Sequence, residues 1–526
     1  MTGTRYLPLV LAALVSVLML SVVAQTTVEP WSDEAMLLTN LLLPDLNILA
    51  PLPHYEQAAP VGYVWLSRML LDFFGSNPPF HVLRLLSTAF IGLGIALLLS
   101  LRPIRRDGLA ATILVAFLLG EPMVWIYASE IKQYSAEFFG SALVLACGLP
   151  LSSRNDTGAL ALFLAAVVIA GLVSFTVPVV VAGMLAALVL YRLTAKDPQV
   201  RAFSPAFMFT GALALFYVAA LYLLLNRGLV AWQIQAYAHV YNPGTDQGIA
   251  TLALKRINGV LQAVVNAFGT TWLSATQRLL QHFGLPVGIS YYAIRLIALA
   301  LFAALARIAY KRAPSAVMLT SGTFAAMAVL QISGFLSLSY PRHVIFLIPF
   351  SAMVTAIAVS HLLREQLPSI ARITIAGAAM TASLAFGTGT ALGRQTQEVG
   401  RLLAHIRDTA PDVPVWIHST GQPVFDLLAP QPMRVLGRID TTSGVVPWQV
   451  RGGTLLFQDS ALTADPDYPD ALATSADGLP ALWLLFNNDA SAQERIPFLE
   501  IAAKVVGPCK TAIEIRSAGL YFCSQN

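Results

Sequence analysis

The stretch YLPLVLAALVSVLMLSVVA, residues 6–24, decides the fold class of this chain. Arg5 precedes it and no charged residue interrupts it. As an α-helix this run is long enough to cross an apolar layer of about 30 Å, so it predicts a transmembrane span. The tripeptide Val22-Val23-Ala24 would also suit a signal-peptidase site. Because the run is longer than a typical signal core, we interpret it as a membrane anchor.

Composition extends this prediction to the whole chain. Of the 526 residues, 56% are hydrophobic and only 11% are charged, and the mean hydropathy is +0.68. Soluble domains have a very different balance, so we predict a polytopic α-helical membrane protein. The net charge of +4 is spread along the chain and does not gather in one basic patch. This distribution excludes nucleic acid as a partner.

Further apolar runs follow, and with the first they predict about 11 transmembrane helices. The runs at 158–173 and 176–192 are short, and we interpret them as tilted spans or as a re-entrant pair. The predicted spans after the first lie at about 80–101, 108–126, 135–150, 158–173, 176–192, 203–225, 288–309, 315–335, 343–363 and 372–391.

Loop charges predict the topology of this transmembrane module, residues 1–392. Basic residues occur in alternate short loops, which the positive-inside rule places in the cytoplasm together with the N-terminus. The exterior face then receives the segments 25–79, 121–134 and 226–287 and the whole tail. The basic residues used here are Arg5, Arg102, Arg105, Arg106, Arg154, Arg192, Lys196, Arg201, Lys311, Arg312, Arg364 and Arg372.

Residues 393–526 have ordinary polarity and predict an exterior α/β domain. Apolar side chains recur at helical spacing from Val399 to Ile406, and further runs predict strands and one more helix. We expect the strands at 413–417, 454–457 and 481–486, and the helix at 492–505.

Two cysteines of the tail suggest a disulfide. Cys509 and Cys523 flank two strand-like runs that have the spacing of a hairpin. An exterior domain in an oxidising compartment makes a bond between them plausible, so we predict one. Cys147 lies inside a predicted span, and we interpret it as a packed thiol.

The adjacent carboxylates of Asp33 and Glu34 lie just beyond the first span, in Trp31-Ser32-Asp33-Glu34-Ala35. A carboxylate near a low-dielectric surface is suited to acid–base chemistry on a membrane-bound substrate. A second interpretation stays open at this point, because Ser32 and Asp33 are also good N-cap residues for a helix that starts at Ala35.

Several other exterior segments carry polar motifs. The first segment continues with His54-Tyr55-Glu56-Gln57 and Pro60-Val61-Gly62-Tyr63, and residues 61–74 predict a helix along the membrane surface. Phe74-Gly75 and Arg84-Leu85-Leu86-Ser87 follow. Later come Tyr127-Ala128-Ser129-Glu130-Ile131-Lys132-Gln133-Tyr134-Ser135 and Tyr340-Pro341-Arg342-His343.

Together these motifs resemble the C-type (GT-C) glycosyltransferases, in particular their bacterial protein-mannosyltransferase-like and rhizobial-type branch. The resemblance covers roughly residues 1–390 and is most specific near the amino terminus. Lys132 stands where the family's Ser-x-Glu-x-Arg-x-Tyr-Ser pattern has arginine, and His343 stands where its Arg-Tyr pattern has tyrosine.

The resemblance implies an inverting membrane enzyme of the bacterial inner membrane. It would move a sugar from a polyprenyl-phosphate donor to a glycan, lipid or protein acceptor on the periplasmic face. The resemblance makes Asp33 the catalytic base, with Glu34 as its helper. General-base assistance to a sugar hydroxyl is worth on the order of 10²–10⁴-fold in rate, which agrees with this role.

The remaining site predictions concern substrate and metal binding. Glu130 is expected to bind the acceptor or to share a divalent cation, Mg²⁺ or Mn²⁺, with Asp33; a structural pair with Lys132 is the alternative. Lys132 and Arg342 are expected at the donor phosphate, and lipid anchoring is the alternative for each. Lys255 and Arg256 are weaker phosphate candidates. Further expected substrate contacts are His54, Gln57, Tyr63 and Tyr134, although His54, Gln57 and Tyr63 could equally hold the surface helix.

Two other functions remain open on the sequence. A transporter or flippase of lipid-linked saccharides should carry ionisable residues near the bilayer midplane, whereas the acids here lie at the ends of spans. A non-catalytic membrane scaffold would not need Asp33.

Overall fold

The computed structural model describes the chain in two compact units. The membrane unit comprises Met1–Thr26 and Ala58–Gly393, and the tail unit comprises Thr27–Gln57 and Arg394–Asn526. The predicted domains placed segment 25–79 with the transmembrane module, whereas Thr27–Gln57 groups with the tail. The described residues are 14–15, 18–19, 21–23, 29–52, 57–74, 80–153, 156–195, 201, 203–226, 228, 249–268, 281–283, 286–334, 341–392, 398–417, 422–428, 435–438, 445–450, 453–458, 472–473, 476–487, 492–515 and 518–525.

Helices dominate the described residues. The α-helices are α1 (Ser32–Leu41), α2 (Val61–Phe74), α3 (His81–Ser100), α4 (Arg102–Arg105), α5 (Gly108–Leu119), α6 (Pro122–Ala128), α7 (Tyr134–Gly148), α8 (Thr157–Val173), α9 (Val177–Thr194), α10 (Pro205–Leu221), α11 (Ile249–Phe268), α12 (Val287–Tyr310), α13 (Pro314–Ser333), α14 (Ile348–Gln366), α15 (Ser369–Leu392), α16 (Val399–Thr409), α17 (Gln422–Leu428) and α18 (Ala492–Val505). Short 3₁₀ helices span Leu149–Ser152 and Pro341–Leu347, and a π-helix spans Tyr222–Asn226.

The membrane unit confirms a polytopic fold. Among the described residues, eight helices are long and apolar enough to cross a membrane, or nine if one bent pair counts as a span. These eight helices coincide with eight of the ten predicted spans after the first. The remaining predicted spans are the bent pair, the shorter α8 of 17 residues, and the run 6–24, most of which lies outside the described residues.

The predicted span at 108–126 is divided into two helices that are bent against each other. Helix α5 ends at Leu119, and α6 starts at Pro122 with its axis bent by 67°. Proline suits the first turn of a helix but cannot continue one, and the Glu121 carboxylate accepts a hydrogen bond from the Met123 N–H at 3.3 Å. Together they begin a new helix at this point.

Large apolar side chains fill the interior of the membrane unit. Trp125, Phe138, Phe163 and Phe350 are fully buried in one continuous core cluster. Helices α9 and α13 pack closely through Gly183 and Gly322, because neither glycine has a side chain to separate the two backbones.

The tail unit confirms the predicted C-terminal α/β domain. Its strands form one seven-stranded sheet in the order β2-β3-β4-β1-β5-β7-β6. Strand β1 is parallel to β4 and β5, and the other neighbours are antiparallel. The strands are β1 (Val415–Ile417), β2 (Val435–Arg438), β3 (Val445–Val450), β4 (Gly453–Gln458), β5 (Ala481–Asn487), β6 (Cys509–Ile515) and β7 (Ala518–Ser524).

Helix α16 supplies one side of the tail core. Its apolar stripe, Val399, Leu402, Leu403 and Ile406, is buried in a cluster with Trp483 of β5, as the helical spacing predicted. The predicted helix at 492–505 is α18, with identical bounds. Cys509 and Cys523 are opposite each other on β6 and β7 and are joined by a disulfide, and Cys147 is a buried free thiol.

The first exterior segment is built into this same core. Ala35 of α1 is fully buried in the cluster formed with Leu403 and Ile406, and α1 also packs against α17. Just before α1, the Glu29 carboxylate accepts a hydrogen bond from the Gly400 N–H at 2.9 Å. The helix that carries the acidic pair is therefore held by the tail.

Candidate functional site

The acidic pair lies in the first turn of α1. The helix begins at Ser32 with Trp31 as its N-cap, so the alternative of a cap at Ser32 or Asp33 before Ala35 is wrong. Glu34 is fully buried, and its carboxylate accepts a hydrogen bond from the Trp31 N–H at 3.1 Å. Glu34 thus stabilises the start of the helix, while Asp33 is partly exposed near the positive end of the helix dipole.

Gln57 is attached to the same helix. Its side-chain amide contacts the Met36 sulfur at 3.2 Å, and Met36 follows Asp33 by three residues, which places both on one side of α1. Gln57 is buried. Asp33 and Glu34 therefore lie on α1 itself, and Gln57 contacts the same helix through Met36. His54, the other candidate in this segment, lies outside the described residues.

The second group of candidates lies between α6 and α7 in the membrane unit. Glu130, Lys132 and Tyr134 are all buried there, with 3%, 4% and 8% of their surfaces exposed. The loop is held by α3, because the Ser87 hydroxyl donates to the Glu130 carbonyl at 2.5 Å and the Thr88 hydroxyl donates to the Ala128 carbonyl at 2.7 Å. Two motifs that are distant in sequence therefore meet.

Aromatic contacts connect the surface helix to this region. The Tyr63 ring of α2 is fully buried and lies 6.5 Å from the Phe90 ring of α3, centroid to centroid. The Tyr127 and Tyr134 rings are 5.0 Å apart. The Gln133 side chain also donates to the Ala58 carbonyl at 3.4 Å, just before α2. Tyr63 and Tyr134 thus belong to neighbouring elements.

The third motif joins the same side of the membrane unit. Arg342 and His343 lie in the 3₁₀ helix Pro341–Leu347, which packs against α6, α7 and α11, and both side chains are partly exposed. The residues that follow, Val344–Leu347, are fully buried and anchor this segment. On α11, the Arg256 guanidinium donates to the Ile332 carbonyl at 2.9 Å, so it also stabilises the end of α13.

The site predictions therefore fall into two sets. Asp33, Glu34 and Gln57 belong to the tail unit, and Tyr63, Glu130, Lys132, Tyr134 and Arg342 belong to the membrane unit. Within the described parts of the chain, no group of three His, Cys, Asp or Glu side chains could hold a metal ion. A cation shared by Asp33 and Glu130 stays a prediction.

Sequence reasoning missed the hydroxyl groups that support the loop between α6 and α7. Ser87 was part of a recognised motif, but its contact with Glu130 was not foreseen, and Thr88 was not singled out. Two adjacent hydroxyl residues early in an apolar helix are the only sequence signal of this role. Two further acids lie close to this loop: Glu121 starts α6, and Glu137 is buried in the first turn of α7.

Comparison with solved structures identifies the fold. Two crystal structures of ArnT from Cupriavidus metallidurans match, one bound to undecaprenyl phosphate and one in the apo state. The first is 13% identical with a TM-score of 0.51, over 98% of this chain and 97% of that chain; the second is 12% identical with a TM-score of 0.50, over 98% of each. The chain has the ArnT fold. No protein-family model matches it, and comparison with curated proteins finds no match.

The ArnT fold agrees with the predicted architecture, a polytopic membrane protein with a C-terminal domain. The similarity runs over nearly the whole of both chains, so it includes the polytopic part and the tail. At 13% identity it assigns neither the branch of the superfamily nor the acceptor.

Proposed function

We propose that this protein is an inverting glycosyltransferase of the bacterial inner membrane. It transfers a sugar from a polyprenyl-phosphate donor to a glycan, lipid or protein acceptor on the periplasmic face, with its N-terminus in the cytoplasm and its tail in the periplasm. The observation that carries the proposal is the likeness to an ArnT structure bound to undecaprenyl phosphate over 98% of this chain. The motifs at Asp33, Glu130 and Arg342 add independent support.

Asp33 is the proposed general base. The acceptor hydroxyl attacks the anomeric carbon, the bond from that carbon to the phosphate oxygen breaks, and Asp33 takes the hydroxyl proton. The phosphate leaves with the bonding electron pair, and the anomeric configuration inverts. Glu34 helps by fixing the start of α1, since its carboxylate is bonded to the Trp31 N–H. Gln57 and His54 are proposed contacts of the substrate near this helix.

Cationic side chains stabilise the leaving phosphate in this proposal. Lys132 supplies a point charge from the loop between α6 and α7, and Arg342 supplies a planar fork of donors from the adjoining 3₁₀ helix. Glu130, Tyr63 and Tyr134 adjoin these elements and are proposed to contact donor or acceptor.

A divalent cation remains an optional part of the proposal. The carboxylates of Asp33 and Glu130 are oxygen ligands of the kind that Mg²⁺ prefers, and two such ligands leave its other positions for water or phosphate. No step of the proposed reaction requires the ion. Loss of transfer in EDTA, restored by Mg²⁺ or Mn²⁺, is the expected behaviour if Asp33 and Glu130 share a cation.

The test compares wild type with Asp33→Asn in nanodiscs, using a panel of polyprenyl-phosphate sugars and measuring sugar transfer or release. We expect wild type to turn over one donor and Asp33→Asn to lose about 10²–10⁴-fold in rate, the usual contribution of a general base. Asp45→Asn is the matched control, because Asp45 is an exposed aspartate of the same segment. It should keep wild-type activity.

Other results would favour the alternative functions. Donor binding without turnover in wild type and in Asp33→Asn would indicate a transporter or a scaffold. Equal turnover in Asp33→Asn and wild type would remove Asp33 from the reaction. Equal folded yield of the three proteins is the condition for the comparison.

A further inference from the structure

Helix α11 carries a stripe of amide side chains. Asn258, Gln262 and Asn266 follow one another at intervals of four residues, so they lie on one side of the helix. Asn258 and Gln262 are half-buried, whereas Asn266 has only 1% of its surface exposed. The stripe therefore runs from the surface of the membrane unit into its interior.

Arg295 of α12 is bonded to the middle of this stripe. Its guanidinium donates to the Gln262 side-chain oxygen through Nε, at 3.1 Å, and also through Nη2. The Gln262 side-chain nitrogen donates in turn to the Asn266 Oδ1 at 2.8 Å. Arg295 is buried, with 2% of its surface exposed. The three side chains form one hydrogen-bonded chain between two helices.

The guanidinium fixes the orientation of both amides. Arginine has donors only, so the Gln262 oxygen faces Arg295 and the Gln262 nitrogen faces Asn266. The Asn266 oxygen is then the acceptor, which leaves two N–H donors on its Nδ2. This nitrogen is buried and has no hydrogen-bond partner among the described residues. Exchanging oxygen and nitrogen in either amide would break a bond of the chain.

The acceptor that suits Asn266 is an anion. Buried donors without an acceptor are costly, because they have lost their hydrogen bonds to water. The Arg295 charge polarises the two amides that follow it, so the Asn266 N–H groups become stronger donors. An anionic oxygen at this position would gain both from the bond and from the nearby positive charge.

The elements around α11 provide no such anion. Helix α11 packs against α12, α13, α14 and the 3₁₀ helix Pro341–Leu347. In α11 and these four elements, the sole acidic residue is Glu365 near the end of α14, where it contacts His361 at 3.2 Å. The 3₁₀ helix adds a further cation, Arg342. The charge of this region therefore favours an anion that comes from outside the chain.

Asn266 lies near the segment that carries Arg342. The carbonyl of its neighbour, Ala267, accepts a hydrogen bond from the Ser351 hydroxyl at the start of α14. Helix α14 directly follows the 3₁₀ helix of Arg342, which itself packs against α11. The amide of Asn266 and the cation of Arg342 thus belong to adjoining elements.

We propose that Asn266 binds a phosphate oxygen of the lipid-linked donor. The Nδ2 group donates to the phosphate, Gln262 holds the amide in that orientation, and Arg295 supplies positive charge through Gln262. The identity of the ligand rests on the proposed function, because phosphate is the anionic group of a polyprenyl-phosphate sugar. The binding of a phosphate oxygen at Asn266 rests on the geometry alone.

The test measures ligand binding to Asn266→Asp and wild type in nanodiscs by calorimetric titration. The probes are a polyprenyl monophosphate, inorganic phosphate and the uncharged polyprenol. Aspartate keeps the oxygen that accepts from Gln262 but replaces the donor by an oxygen that repels anions. We expect the affinity for polyprenyl phosphate to fall by about 100-fold. The affinity for polyprenol should stay unchanged, which a general loss of structure would not allow.

Gln366→Glu is the matched control. It makes the same amide-to-carboxylate change at an exposed position near the end of α14, so binding of all three probes should stay at the wild-type level. A second variant, Asn266→Ala, covers the case in which Asn266→Asp does not fold. It removes the donors without adding charge, and we expect polyprenyl phosphate to bind about tenfold more weakly.

The probes also separate the two sources of phosphate. Tighter binding of polyprenyl phosphate than of inorganic phosphate would support the lipid-linked donor, whereas equal binding would overturn that ligand and leave a site for free phosphate. Wild type that binds neither, or an Asn266→Asp protein that binds polyprenyl phosphate normally, would overturn the site itself. No turnover is measured, so a protein without sugar transfer would overturn the proposed function and leave this result intact.

Discussion

At the residue scale, hydrogen bonds from α3 hold the loop that carries Glu130 and Lys132. The Ser87 hydroxyl is fully buried and donates to the backbone carbonyl of Glu130. Buried bonds of this kind matter most when one partner is removed, because the other partner then loses both the bond and access to water. The loop geometry therefore depends on a side chain that need not contact substrate.

We expect Ser87→Ala to lower thermal stability by about 1 kcal/mol and to reduce sugar transfer without abolishing it. The control is Ser100→Ala, since Ser100 is exposed near the end of the same helix and donates only to the Leu97 carbonyl within it. Thermal unfolding in detergent and transfer rates measure both effects. Wild-type behaviour of Ser87→Ala in both measurements would contradict this role.

A second residue-scale network lies on the β6–β7 hairpin of the tail. The Arg495 guanidinium is 2.6 Å from the Glu514 carboxylate, and the Tyr521 hydroxyl donates to the same carboxylate at 2.7 Å. Partial burial, with the hydrogen bond to Glu514, raises the pKa of Tyr521 above its usual value near 10. The folded tail therefore favours the neutral phenol.

This shift predicts a loss of tail stability at high pH. A raised pKa in the folded state contributes stability that is present below pH about 10 and is lost as the pH rises through the folded-state pKa. Tyr521→Phe removes this titration, so its unfolding midpoint in urea should fall less than that of wild type between pH 9 and pH 11. Parallel curves for the two proteins would exclude Tyr521 as the cause.

At the element scale, the crossing of α9 and α13 depends on two glycines. A Cβ atom at Gly183 would lie 2.6 Å from the Gly322 carbonyl oxygen and 2.7 Å from the Thr323 Cα. Both neighbours are backbone atoms, so a side chain would separate the helices. Small residues permit this close approach in membrane proteins, where dispersion contacts supply much of the association.

We expect Gly183→Ala to destabilise the membrane unit by about 1–3 kcal/mol, the usual cost of overpacking. Gly377→Ala on α15 is the control, because nothing lies within 4 Å of the added Cβ. That substitution should be neutral or slightly stabilising, since alanine favours helices more than glycine does. The thermal unfolding midpoints of the two variants are compared at equal lipid content. Equal midpoints would show that α9 and α13 can move apart without a loss of stability.

At the scale of the whole molecule, the proposed catalytic helix depends on a domain encoded more than 350 residues later. Ala35 is buried with Leu403, and the Glu29 carboxylate accepts from the Gly400 N–H. Damage to the tail core should therefore disorder α1 even when every proposed site residue is intact.

We test this coupling with Leu403→Asp, which places a charge in the tail core and should cost several kcal/mol. Transfer is expected to fall by more than about tenfold, and amide exchange of residues 32–41 should rise. The matched control is Arg407→Asp on the same helix, because 58% of that side chain is exposed. Unchanged exchange in α1 while the tail exchanges freely would show that α1 folds independently.

Local patterns explain which predictions succeeded. The predicted spans, helix α18 and the apolar stripe of α16 depend on hydrophobic periodicity, which is a property of neighbouring residues. The break at Gly120-Glu121-Pro122 was missed because its residues are few and the hydropathy on both sides stays high. The dipeptide Glu121-Pro122 was the available sequence signal, because an acidic N-cap followed by proline is typical of the start of a new helix.

The sequence by itself determined a polytopic membrane protein with an α/β tail, because hydropathy is encoded locally; the residues that its short motifs suggest for a lipid-linked sugar reaction stay a prediction. Only the tertiary structure decided that α1 belongs to the tail core, that Ser87 and Thr88 hold the loop of Glu130, and that Arg295 is bonded to Gln262 of α11. These features depend on contacts between residues far apart in the chain, and packing of that kind leaves no periodic signal in a single sequence.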